Sequence, residues 1–105
     1  MTVYVDDAAI AATVGRITSR WSHLIADDAA ELQAFAARLG LRRGWFQDPL
    51  TKTTGVRPRP GSRAAENWHY DVTAGKRLRA IQLGAEPVPW REMVEIINRR
   101  YEESR

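Results

Sequence analysis

The stretch Trp21-Ser22-His23-Leu24-Ile25-Ala26-Asp27-Asp28, continued by residues 29–40, decides the fold, because a strand pattern passes into a helix pattern with no loop between them. Trp21-Ser22-His23-Leu24-Ile25-Ala26 alternates as a strand does, with Trp21, His23 and Ile25 on one face. Asp28 with Glu31 then forms a capping-box-like pair, with Asp in place of the usual Ser or Thr. Leu32, Phe35, Ala36 and Leu39 recur at helical spacing, and Gly40 supplies a left-handed stop. A strand feeding directly into a helix predicts an α/β fold.

Upstream, Thr2-Val3-Tyr4-Val5 reads as a first strand that runs into Asp6-Asp7. Residues 8–20 are Ala-rich and broken by Gly15, which suits a short helix or a loop. Downstream, Arg43-Gly44-Trp45-Phe46-Gln47 reads as a third strand. Residues 48–68 form a long basic loop with Pro49, Gly55, Pro58, Pro60 and Gly61, and with Lys52, Arg57, Arg59 and Arg63. A segment of that length without structure is functional or disordered more often than not. After His69-Tyr70-Asp71-Val72, Thr73 caps a helix with apolar Ala74, Leu78 and Ile81, closed by Gly84. Glu86-Pro87-Val88-Pro89-Trp90 suits an edge strand, since proline offers no ladder donor. A last helix over about residues 91–103 buries Met93, Val94, Ile97 and Tyr101 and obeys the helix dipole. The sum is one domain over residues 1–105, with a mainly parallel sheet of three or four strands and about three helices.

The 105 residues contain no cysteine, which excludes thiol catalysis, zinc–thiolate sites and disulfides. No uncharged run approaches the roughly 20 residues that span a bilayer, and residues 1–7 lack the pattern of a secretory signal. A soluble, cytoplasmic protein with no membrane partner is the expectation. The formal charge of +3 is unevenly placed: net −2 over residues 1–41, +6 over residues 42–79 and −1 over residues 80–105. A GC-rich genome would inflate arginine and alanine together, and there are fourteen and fifteen of them here, but it would not explain that placement. A middle third this positive attracts phosphate or another anion.

In a parallel sheet, ligands bind beyond the carboxyl ends of the strands. That geometry puts Asp6, Asp7, Asp27, Gln47 and Asp48 on one rim, where Asp6 and Asp27 would hold Mg²⁺ or Mn²⁺ for phosphoryl chemistry. Asp27 and Asp28 also suit plain helix capping. Lys76 and Arg77 sit in the first turn of their helix, against the dipole, and with Gly75 suggest a phosphate cradle. Arg43 and Arg63 are further candidates for phosphate contact, and a solvated basic face is the alternative. His69 and Asp71 are the candidate proton-transfer pair, and Tyr70 completes that titratable run. His23, between Trp21 and Ile25, suits a buried structural histidine beside the pocket. Trp68 is the candidate for stacking on a base, whereas Trp45 and Phe46 read as core.

Val-Tyr-Val-Asp, Trp-Ser-His-Leu-Ile-Ala-Asp, Trp-Phe-Gln, His-Tyr-Asp-Val-Thr and Gly-Lys-Arg together resemble a small bacterial and phage family, domain of unknown function 4031. The resemblance runs from Thr2 to about Glu92. It implies family-typical positions at Asp6, Trp21, His23, Asp27, Phe46, Gln47, His69, Tyr70, Asp71 and Arg77, and it brings no activity with it. The family often has His where this chain has Gln33. The first functional expectation is a protein that binds a nucleotide or nucleic acid, with divalent-metal-dependent phosphoester hydrolysis as its chemistry. The alternatives are a non-catalytic nucleic-acid binder using Arg57, Arg59 and Arg63, and a protein-interaction module.

Overall fold

A computed structural model describes residues 2–51 and 55–104. Along the chain lie β1 (Val3–Val5), β2 (Ile10–Val14), β3 (Ile17–Ala26), α1 (Ala29–Leu39), β4 (Tyr70–Val72), α2 (Ala74–Gln82), β5 (Glu86–Pro87) and α3 (Glu92–Glu103). Single 3-10 turns occupy Arg43–Trp45 and Ala64–Glu66.

Beyond Ala9, the segment over residues 8–20 is neither helix nor loop: residues 10–20 form β2, a two-residue turn and the first part of β3. Gly15 takes φ +60° and Arg16 does not turn positive, which is the pattern of a type II′ turn. Its twist matches that of paired strands, so pairing overrides the helix propensity of the alanines. The chain advances five residues from Val5 to Ile10 while its partner retreats three from Leu24 to Trp21, so residues 6–9 bulge out of the ladder. Ala9 carries the strain of that bulge at φ +48°.

The sheet is mixed and mostly antiparallel, not mainly parallel. β3 pairs antiparallel with β1, β2 and β4, and only β5 runs parallel, against β1. A parallel crossover needs a dozen or more residues of connection, whereas β1 reaches β3 through the hairpin. The strand expected over residues 43–47 is a 3-10 turn, and Gln47 alone joins the sheet by a bridge to His69. The expected basic loop holds turns and the 3-10 segment at Ala64–Glu66, and Lys52 lies outside the described residues.

Strand alternation sends Val3, Val5, Leu24, Ala26, Tyr70 and Val72 to one core, which Leu32, Phe35, Ala36 and Leu39 of α1 and Ala80 of α2 complete. α2 meets the sheet through small Ala80, leaving Leu78 exposed, against the expected stripe. α3 buries Ile96 and Arg100 rather than Met93, Ile97 and Tyr101, which are half-buried, and Val94 is exposed. Its rotation follows from Arg100, whose guanidinium binds backbone carbonyls beneath the helix. Among the described residues no helix is long and apolar enough to cross a membrane.

Gly40 closes α1 at φ +87°, and its N–H bonds the carbonyls of Ala36 and Ala37. A Cβ there would stand 3.3 Å from Lys76 Nζ, which itself bonds Leu39 O at 2.9 Å. Gly40→Ala is therefore expected to cost about 1–2 kcal/mol, read as a lower urea midpoint with an unchanged m-value.

Candidate functional site

On the sheet face opposite the main core, His23 of β3 stands directly across from Asp71 of β4. His69 lies two residues before Asp71 and therefore shares its face. The His69 Nε2 to Asp71 Oδ1 distance is 3.3 Å, and His23 Nε2 lies 3.9 Å from the same oxygen. The two imidazoles meet edge to face with centroids 5.0 Å apart.

Asp6 holds His23 from behind. The bulge turns its carboxylate inward, where it is wholly buried. Its Oδ2 accepts from His23 Nδ1 at 2.7 Å, and its Oδ1 accepts from the N–H groups of His23 at 2.8 Å and Ala8 at 3.3 Å. The Nδ1 of His69 donates to Asn67 O at 3.1 Å, because a carbonyl can only accept. Both rings thus commit Nδ1 as a donor and direct Nε2 at Asp71.

Burial pushes the Asp6 carboxyl up, but the hydrogen bonds from the His23 ring and backbone outweigh it, leaving Asp6 below its ordinary pKa. The bond to Asp6 raises His23 above the usual imidazole value; burial opposes this, and the charges of Asp6 and Asp71 add to it. Burial likewise pushes Asp71 up, and the His69 hydrogen bond with the two imidazole charges brings it below the ordinary carboxylate value. The cluster favours carboxylates facing positive charge.

The family model for protein of unknown function (DUF4031) matches residues 3–100. The chain belongs to that family. No curated protein and no solved structure matches it.

Of the DUF4031-like positions, Asp6, His23, His69 and Asp71 meet in the cluster, with Gln47 bridged to His69 on the same edge. Tyr70 points into the core, where its hydroxyl donates to Gln33 Oε1, so a histidine at position 33 would stand behind the sheet from the cluster. Asp27 is not on a rim shared with Asp6. β1 and β3 are antiparallel, so their carboxyl ends lie at opposite edges. Asp27 accepts instead from Arg99 at 3.0 Å and from the Tyr4 hydroxyl at 3.1 Å. A metal site of Asp6 with Asp27 is excluded by that separation and by the three hydrogen bonds that Asp6 already accepts.

The expected phosphate cradle is also dispersed. Lys76 Nζ caps α1 at Leu39 O, Thr73 accepts from Lys76 N–H, and Ala74 N–H is taken by Ser19 Oγ. Arg77 Nε donates to Asp6 O at 2.7 Å and braces the bulge. Arg43 lies over the Phe46 ring and Arg63 over the Tyr101 ring. One face of the Trp68 ring is taken by the Arg100 guanidinium, 3.3 Å from the ring centroid, and is closed to a base. Sequence reasoning placed His23 as structural and missed its pairing with Asp71. The usable signal was the shared face of Trp21, His23 and Ile25 together with the two-residue spacing of His69 and Asp71.

Proposed function

We propose that the chain hydrolyses a phosphoester of a nucleotide or nucleic acid at the cluster of His23, His69 and Asp71. The observation that carries this reading is the convergence of two Nε2 atoms on one Asp71 oxygen, with Asp6 bound behind His23. In the reaction, water adds to phosphorus, the P–O bond to the leaving group breaks, and the departing oxygen takes a proton.

Beside His69 lies a groove of about 140 Å³ lined by Gln47, Asp48, Pro49, Asn67 and His69. It is smaller than the roughly 300–1,000 Å³ of sites that engulf a whole small molecule. A substrate would present only its reactive group there, as an extended chain or a terminal phosphate does. The net +6 of residues 42–79 supplies the attraction for anions in place of a dedicated cradle.

The test is a turnover screen with mononucleotides, bis(p-nitrophenyl) phosphate and single-stranded oligonucleotides, with and without Mg²⁺, Mn²⁺ or Zn²⁺. His69→Ala and Asp71→Asn are each expected to lower turnover about 100-fold or more, with the circular dichroism spectrum unchanged. Mononucleotides against oligonucleotides decides the ligand class. Absence of turnover on every substrate removes the reading.

A further inference from the structure

We infer that His23 Nε2, His69 Nε2 and one oxygen of Asp71 bind a single divalent transition-metal ion and leave its other positions open. Donor atoms of these three residues all lie within 4.8 Å of one another. An ion bound at about 2.1 Å needs donors roughly 3.0–3.4 Å apart. The His69–Asp71 distance of 3.3 Å already meets that, and His23 Nε2, at 3.9 Å from the same oxygen, would have to draw in by about 0.5 Å on binding.

A second and independent observation is the way each ring is held. Metal-bound histidines give their other ring N–H to a carboxylate or a backbone carbonyl, which fixes the tautomer and strengthens the ligand. His23 has the Asp6 carboxylate and His69 has the Asn67 carbonyl. A plain His69–Asp71 ion pair would require neither arrangement. Asp6 is therefore a positioning residue, since it touches His23 and not the ion.

The donor set also chooses the ion. Two imidazoles and one carboxylate favour Zn²⁺, Fe²⁺, Co²⁺ or Ni²⁺, whereas Mg²⁺ prefers an all-oxygen shell. Three protein ligands with open positions are the pattern of a reactive centre, because structural zinc sites are closed by four. Such an ion lowers the pKa of bound water toward neutrality. The role of that water rests on the hydrolytic reading, and the ligand set does not.

The experiment is titration of the chelator-stripped full chain with Zn²⁺, Co²⁺ and Mg²⁺ by calorimetry, with the Co²⁺ visible spectrum as a second readout. One equivalent of Zn²⁺ or Co²⁺ per chain is expected, with no measurable Mg²⁺ binding. His69→Ala and Asp71→Asn should each weaken Co²⁺ binding by at least about 100-fold, and Asp6→Asn by about 10–100-fold. Should His69→Ala unfold, Asp71→Asn carries the same test, because that side chain is 40% exposed. No binding of any transition metal, or Co²⁺ binding untouched by Asp71→Asn, overturns the assignment. Metal binding without phosphoester turnover leaves this centre standing and removes the hydrolase. Turnover that survives the chelator in metal-free protein keeps the hydrolase and removes only the ion's part in it.

Discussion

Arg100→Ala is expected to lower the stability of the chain by about 3–5 kcal/mol, the largest loss of any single substitution considered. The guanidinium is buried beneath α3, where Nε and Nη2 donate to Ala26 O and Nη1 donates to Glu66 O and Trp68 O. Its Cζ lies over the Trp68 ring, 3.3 Å from the centroid. Burial pushes its pKa down to about 10, with the charges of Glu66 and Asp27 pulling the other way. Alanine would leave three carbonyls short of donors and a void against the indole, each an uncompensated loss. Arg100→Lys restores little, because one ammonium cannot reach the end of β3 and the segment before β4 at once. The measurement is urea unfolding alongside a thermal scan, with a fall in Tm of more than about 12 °C expected for a domain of this size. A loss below about 1 kcal/mol would show that water replaces the guanidinium at those carbonyls. Trp68 adjoins His69, so the same substitution should also loosen the cluster.

Arg100 illustrates what local sequence does not reveal. In the sequence it looks like a C-terminal cation suited to the dipole of α3, and only the carbonyls beneath the helix give it another task. The elements legible in advance are those fixed by short-range chemistry. The Asp28 cap, the Leu32–Leu39 stripe, the Thr73 cap and the Gly40 stop all act within a few residues of themselves, and the structure keeps each of them. The hairpin over residues 10–26 depends on a ladder, and alanines that favour helix locally are overruled by pairing. The error in strand direction then moved Asp27 onto the wrong edge. Within the cluster, the spacing of His69 and Asp71 was readable because it lies inside one strand. The approach of His23 to Asp71 is a register between segments 48 residues apart, and Asp6 reaches His23 only because a bulge turns it inward. Neither follows from composition or periodicity.

Asp6→Asn is expected to cost about 2–3 kcal/mol near pH 6 and to change the shape of the stability profile as well as its height. In the natural chain the folded pKa of Asp6 and Asp71 is lowered, so their contribution is complete above about pH 4 and is lost as pH falls through the lowered values. The folded pKa of His23 is raised, so its contribution is complete below about pH 6.5 and is lost as pH rises through the raised value. The contribution of these three groups therefore has a plateau between about pH 4 and pH 6.5 and declines on both sides. Asparagine at position 6 deletes one acid contribution and removes the largest influence holding His23 protonated. The alkaline decline should then nearly vanish, because burial opposes the remaining pull of the Asp71 charge. The amide has a further effect that alanine lacks. If its NH₂ donates to His23 Nδ1, the proton moves to Nε2, the atom that faces Asp71. Nitrogen NMR of the His23 ring reads that tautomer change directly, alongside unfolding measured from pH 4 to pH 9. An unaltered alkaline limb together with an unaltered tautomer would mean that Asp6 serves the backbone of the bulge alone.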